Sequence, residues 1–220
     1  MSTSLSTLLT QTRDYLDEST AGRWTEAELR RYINQGLRQV QSQIQAANED
    51  YFLRVETASA ASGTYELAFP SDIWGNKLRA VYYYQDKGTA ASGTPYKVPP
   101  TSLEAVYDNL NVSGIPGGYA YHAGYIRWAP ILDTQGTFRF IYALKETAFA
   151  TDGSDDSDNL GQIADEHTDC IALYAAIMAR GKVGAPTKEL TDMYKTRMQQ
   201  IMNDVTPNDP IITNQARIDD

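Results

Sequence analysis

Trp24-Thr25-Glu26-Ala27-Glu28-Leu29, continued by Tyr32-Ile33, Leu37, Val40, Ile44 and Ala47, decides the fold. Thr25 and Glu28 have the spacing of a capping box, in which the Thr hydroxyl takes a free backbone N–H and the Glu reaches back to the Thr N–H. From Leu29 onward the apolar positions recur at three and four, the period of one helix face. No proline interrupts them, so one helix is expected from Trp24 to Ala47, roughly 30–35 Å long at about 1.5 Å per residue. Its other face would carry Arg30, Arg31, Gln35, Arg38, Gln39, Gln41, Gln43 and Gln45. Such a face, rich in donors and poor in negative charge, lies in water or against a neighbouring subunit. Arg31, Gln35, Arg38 and Gln39 are the candidate subunit contacts.

Upstream, Leu5, Leu8, Leu9, Tyr15 and Leu16 predict a helix over about 6–16. The short polar link that follows predicts that these two helices pack as a hairpin. Downstream the period falls to two. Tyr51, Leu53, Val55 and Thr57, then Tyr65, Leu67 and Phe69 across Ser62-Gly63, predict a β-hairpin. A third strand is expected over Leu78–Gln85, central because Tyr82, Tyr83 and Tyr84 supply both its faces. Asp86–Thr94 reads as a loop of small residues. Thr101 and Glu104 repeat the capping-box spacing before a short helix with Leu103, Val106 and Tyr107 as its apolar side. Three more strands are expected at about 119–122, 125–128 and 137–144, with Ala123-Gly124 making the first turn.

An acidic loop, 148–161, holds Asp152, Asp155, Asp156 and Asp158. Helical spacing returns over about 164–180 through Cys170, Ile171, Tyr174, Ala175, Ile177 and Met178. It returns again over 187–205 through Leu190, Met193, Tyr194, Met198, Ile201, Met202 and Val205. Thr206–Asp220 has two prolines and no period, so it is expected to be loose in the free subunit. Helices, then strands, then helices point to α+β: an antiparallel bundle of N- and C-terminal helical hairpins with an inserted antiparallel β region. The expected parts are an N-terminal hairpin (1–49), the β region with one short helix (50–147), the acidic loop with the C-terminal hairpin (148–205) and the tail (206–220).

At 220 residues, 42% hydrophobic and 21% charged, the chain can bury a sizeable core. Its net charge of −9 argues against a surface made to grip nucleic acid and disfavours a DNA-binding regulator. A negative wall still lets a duplex pass without sticking. Cys170 is the only cysteine, which rules out an intrachain disulfide and fits a reducing compartment. No signal peptide is expected from Met1-Ser2-Thr3-Ser4-Leu5, and no stretch reaches membrane-span length. The sequon at Asn111 therefore has no secretory context.

Chemistry finds little to use. His122 and His167 are the only histidines. His167 and Cys170 could share a helix face, but a metal would want two further ligands, and none is identifiable. The acids at 152–158 lack the ligand spacing of a calcium loop. Gly114–Gly118 resembles a phosphate loop only in composition, since Pro116 has no N–H and no Lys-Ser or Lys-Thr follows. No nucleophile elbow and no Cys-x-x-Cys is present. Arg79, Arg127 and Arg139 fall on expected strands, where solvent-facing positions explain them. No catalytic, cofactor or metal residue is assigned, and no enzymatic activity is expected.

One family pattern is visible. Leu8, Arg13, Leu16-Asp17, Trp24 to Leu29 and Tyr32-Ile33-Asn34-Gln35-Gly36 resemble the N-terminal helices of head-to-tail adaptor (connector) proteins of tailed bacteriophages. Gly114-Ile115-Pro116, Ile126 to Pro130, Gly136 and Tyr142 resemble that family's central strands, and Asp165 to Ala179 its C-terminal hairpin. The resemblance covers about 5–205; the length of the strand region, including Asp86–Thr94, departs from it. It implies a structural virion protein of the neck between capsid and tail, assembled in the host cytoplasm, in a homo-oligomeric ring usually of twelve copies. The implied partners are the portal protein, nozzle or tail-tube proteins, neighbouring copies of itself and passing double-stranded DNA, with no membrane. It also implies that the C-terminal segment reaches the portal, with Pro210, Ile211, Ile212 and Arg217 as docking residues. Two other readings compete. A receptor- or carbohydrate-contacting tail component needs exposed aromatic pairs near Tyr82–Tyr84 or Tyr119–Tyr125. A metal-dependent hydrolase needs a site at His167, Cys170 and the nearby acids.

Overall fold

The computed structural model describes residues 3–18, 22–85, 95–146, 148–149 and 163–206. In chain order its elements are α1 (Leu5–Tyr15), α2 (Glu26–Ala47), β1 (Leu53–Ala60), β2 (Glu66–Ala68), β3 (Ile73–Gln85), β4 (Tyr96–Val98), α3 (Leu103–Asp108), β5 (Ser113–Gly114), β6 (Gly118–His122), β7 (Tyr125–Ala129), β8 (Ile131–Leu132), β9 (Gly136–Leu144), α4 (Asp169–Lys182) and α5 (Lys188–Val205). Helices and mostly antiparallel sheets make the class α+β. The chain divides into two compact units, one of Met1–Tyr51 with Glu146–Asp220, the other of Phe52–Lys145.

In the helical unit the local signals work as their chemistry dictates. Thr25 caps α2 and both halves of the capping box form with Glu28. Ser4 caps α1 by accepting from the Thr7 N–H. Leu29, Tyr32, Ile33, Leu37, Val40 and Ile44 bury the face that the three–four spacing marks. α2 packs on α4, α1 and α5, and α4 packs on α1 and α5 as well. Three neighbours explain why α4 buries more than one stripe: Cys170, Ile171, Ala172, Leu173, Ala175, Ala176 and Ala179 are all inside. Its alanines let the surrounding helices come close. α2 answers with Gly36, where an added Cβ would stand 2.8 Å from the Ile171 carbonyl oxygen.

Several expectations are corrected here. α4 begins at Asp169, after a single 3₁₀ turn over Asp165–His167, and not at about 164. Met178 and Met193 are exposed, on sides of α4 and α5 that no neighbouring element covers among the described residues. Arg30, Gln41 and Gln45 are buried and not part of a wet face. Contact with three helices wraps α2 further round than a single apolar stripe allows.

The β unit holds a four-stranded sheet ordered β1-β9-β3-β4, a three-stranded sheet ordered β2-β7-β6, and a short parallel pair, β5 with β8. β3 is interior, as the tyrosines on both its faces require. The expected hairpin of the first two strands does not form. β1 pairs with β9 from Leu53↔Ala143 to Ala60↔Gly136, while β2 pairs with β7 in the other sheet. The chain turns away at Gly63, whose φ of +81° suits glycine and whose N–H donates to the Leu132 carbonyl at 2.8 Å. The turn at Ala123-Gly124 has positive φ at both residues and joins β6 to β7. The short helix is capped by Ser102 and not by Thr101: the Ser102 hydroxyl accepts from the Ala105 N–H, and the Thr101 N–H that a capping box would offer to Glu104 goes to the Tyr119 carbonyl. Tyr107 on that helix is exposed, leaving Val106 as its buried anchor.

Aromatic rings fill this unit's core. Phe69 meets Tyr121, Phe140 and Tyr142 edge-on at 5.2–5.3 Å, and Trp128 lies 4.3 Å from Phe138. Gly136 faces Tyr83 so closely that a Cβ there would fall 2.3 Å from the ring. The Tyr142 hydroxyl shares its one proton between Glu56 and Asp72, 2.8 and 3.0 Å away, and Arg54 pairs with Asp72 at 2.9 Å. Burial and these two acids push the Tyr142 hydroxyl well above its ordinary pKa.

Candidate subunit-contact face

The face proposed for contact lies on α2, which is held along its length. At its start Trp24 is buried, with the Lys182 ammonium 5.7 Å from its ring centroid. Lys182 donates to Glu28, which also serves the capping box. The Lys182 hydrogen bond, with those from Thr25, holds the Glu28 carboxyl down to about 2. At the helix end Asn48 donates its amide to the Val205 carbonyl at 2.9 Å.

Between these ends, polar side chains grip the returning backbone. Asn34 donates to the Phe149 carbonyl at 3.0 Å, and its carbonyl oxygen accepts from the Phe149 N–H at 2.8 Å. The Gln41 carbonyl oxygen accepts from the Glu146 N–H. Two polar side chains of α2 therefore satisfy backbone groups of Glu146 and Phe149.

Arg31, Gln35 and Arg38 are exposed and Gln39 is half-buried. Ala27, Arg30, Arg31, Asn34, Gln35 and Arg38 line a groove of about 350 Å³ along the helix. Arg30 is only 6% exposed. Its Nη2 donates to Glu26 at 2.7 Å, while its Nε has no hydrogen-bond partner among the described residues. The Arg31 guanidinium lies 5.1 Å from the Tyr32 ring centroid and donates to its hydroxyl. Arg30 is thus already paired with Glu26, and the cations the groove leaves exposed are Arg31 and Arg38.

The other candidate residues fall elsewhere. Pro210, Ile211, Ile212 and Arg217, and the acids at 152–158, lie outside the described residues, as does Asp86–Thr94. His167 and Cys170 are both buried, and burial pushes the Cys170 thiol up to about 12, the range of an inert apolar filler. Among the described residues no three His, Cys, Asp or Glu side chains gather closely enough to hold an ion. No described helix is long and apolar enough to cross a membrane. Tyr83, Tyr84 and Tyr119 are buried, and Tyr125 is exposed with Arg127 stacked on it. Arg127 pairs with Glu66 at 2.9 Å and Arg139 lies over Tyr84, so each is spent on its own strand neighbours.

Asn34 and Gly36 were missed as structural determinants. A signal existed: both are weak helix formers in mid-helix, Gly by about 1 kcal/mol relative to Ala, which asks for a tertiary reason. Both lie in the Tyr32–Gly36 run that carries the resemblance.

No curated protein matches the chain. A family model does, that of the SU10 adaptor protein, over residues 3–217, which takes in the capped α2, the β unit and the closing helices. On a match of that extent, the chain belongs to the SU10 adaptor protein family and is a phage structural adaptor.

Proposed function

We propose that the chain forms a ring between the portal vertex of the capsid and the tail, extends the DNA channel and catalyses nothing. The family match across nearly the whole chain carries this reading. The pairing of helix ends is consistent with it. Lys182 at the end of α4 meets Glu28 at the start of α2, Arg180 donates to the Tyr15 carbonyl, and Asn48 meets Val205. These contacts favour an antiparallel bundle of the two terminal hairpins, a stiff block from which a load-bearing ring can be built. Copies related by rotation would join through unlike patches, the α2 groove being one of them. Twelve copies are the number carried over from the resembling adaptors. The net charge of −9 suits a passage through which DNA slides. The tail 206–220, with Ile211 and Ile212 as apolar anchors, is the segment proposed to order on the portal.

Imaging of the purified chain mixed with candidate portal particles tests the reading. A ring stacked coaxially on the portal is expected. A chain that stays monomeric beside bare portals would overturn it.

A further inference from the structure

Resting on the ring reading, we propose that neighbouring copies also meet through two unlike faces of the β unit. One is the apolar, acidic face of α3; the other, on the next copy, is the apolar, basic outer face of the four-stranded sheet.

The first face is built by α3 and the turns after it. Tyr107, Val112 and Ile115 fall within nine positions, and all three are exposed. Turn hydrogen bonds from the Leu110 N–H to the Tyr107 carbonyl and from the Val112 N–H to the Asn109 carbonyl keep this stretch folded on itself. A cavity of about 320 Å³ opens beside it, with Ala105, Val112 and Pro130 in its wall. Large apolar side chains gathered on a surface mark a contact site. Between Lys97 and Arg127 the sequence holds no Lys or Arg, and its acids there are Glu104 and Asp108. Both are exposed on α3, and neither has an ion-pair partner among the described residues.

The second face is the side of the sheet turned away from the aromatic core. Its residues stand in cross-strand rows, Val55, Ile141 and Ala80 in one and Arg139, Tyr82 and Lys97 in the next. Alternation makes these rows one face, because Phe138, Phe140 and Val81 point the other way into the core. An antiparallel sheet that meets water on one side is ordinarily polar there; this one leaves Val55 58% exposed. No carboxylate stands in either row. Lys97 is exposed without an ion-pair partner among the described residues, and Arg139, exposed over the Tyr84 ring, has none either.

Charge chooses the occupant. Within the single chain both faces stay bare, so a copy leaves both unsatisfied. Apolar side chains on each, with carboxylates on one and cations on the other, fit a second copy. Each copy then offers one of each face, the unlike pair from which a closed ring is made.

The test uses the full chain with the charges exchanged, E104K/D108K in one version and K97E/R139E in the other. Each alone should lower the assembled fraction, read by light scattering, at least ten-fold. An equimolar mixture should restore it, because alternate copies then match. A third version, V112C, needs no change of charge: its labelling by a maleimide should slow at least ten-fold on assembly, and buried Cys170 does not compete. Rings indifferent to both exchanges, or V112C labelling that assembly leaves unchanged, would overturn the proposal. So would recovery only when all four exchanges sit in one chain, which would place the contact within a copy. Intact rings that lose portal docking in E104K/D108K would give the α3 face to another protein, and that also overturns it. Light scattering of the unmodified chain, alone and with portal particles, separates the two levels. Rings that ignore the exchanges sink only this contact; monomers throughout sink the ring reading as well.

Discussion

Gly36→Ala should destabilise the helical unit although it improves the helix. Two effects oppose each other. Replacing a mid-helix Gly by Ala is favourable by about 1 kcal/mol through backbone entropy alone. Against it, the new Cβ would stand 2.8 Å from the Ile171 carbonyl oxygen and 3.3 Å from the Tyr174 Cβ. The first contact is with backbone in the middle of α4, which cannot swing away like a side-chain tip. Ile171 is fully buried and α4 is flanked by α1, α2 and α5, so relief requires the helix pair to separate by several tenths of an ångström. Overpacking of that kind costs about 1–3 kcal/mol. The helix propensity offsets part of it, leaving a net loss of about 0–2 kcal/mol. Gly36→Leu carries the same clash with more bulk and should lose at least 2–3 kcal/mol. The assay is urea unfolding followed by helical ellipticity, with midpoints compared at equal slope. The graded order Gly, Ala, Leu is the signature. If Gly36→Leu melts with the parent, or Gly36→Ala gains the full propensity benefit, α2 and α4 do not approach at this point and the reasoning fails.

The remaining predictions concern other joints. Asn34→Ala removes both hydrogen bonds to Phe149 and leaves two half-buried backbone groups without partners, at a cost of about 1–3 kcal/mol; faster hydrogen exchange at the Phe149 amide would report it, and unchanged exchange would count against the clamp. Trp24→Ala should cost about 3–5 kcal/mol, because the ring is buried beneath Lys182; calorimetry of the two proteins checks this. The Glu28 carboxyl has a folded value near 2 against an ordinary 4.5, so its contribution is complete above 4.5 and is lost as the pH falls through 2. Acid titration should therefore show a shallower stability loss over that window in Glu28→Gln than in the parent. Deleting 206–220 should leave melting unchanged and abolish docking to purified portals; full-affinity docking by the truncated chain would reassign the tail.

How far the sequence could be read depended on the range of each signal. The capping box of α2 is complete within four residues, and its start was legible because nothing distant competes for the Thr25 hydroxyl. At Thr101-Ser102 two hydroxyls are available, and the Thr101 backbone is held outside the helix by a distant strand, its N–H donating to the Tyr119 carbonyl, so a capping box with Glu104 cannot close. Alternation marked β1 and β2 as strands but said nothing of partners. β1 finds its partner in β9, far along the chain, and Gly63 separates it from the strand expected beside it. A strand's period is local, whereas its pairing is a property of the whole sheet.

The same distinction bears on the contact face. A helical wheel divides α2 into an apolar half and a polar half, and assigns Arg30, Gln41 and Gln45 to water. Three packed helices and the backbone groups of Glu146 and Phe149 held by α2 leave a much narrower exposed strip, on which Arg31, Gln35 and Arg38 remain. Much of the polar face is therefore structural: Asn34 and Gln41 hold backbone groups of Phe149 and Glu146, and Arg30 braces Glu26. The residues that stay outside carry positive charge on a chain of net −9. Solubility does not require two exposed arginines along one groove, and the acidic balance elsewhere makes self-recognition by charge available to every copy. A contact of that origin weakens with salt, since exposed pairs are screened within about 10 Å at 0.1 M. Apolar helix packing within the subunit does not weaken in that way. Raising the ionic strength should therefore disperse assemblies before it unfolds subunits. The reverse order would mean that apolar burial, not the arginine groove, holds neighbouring copies together.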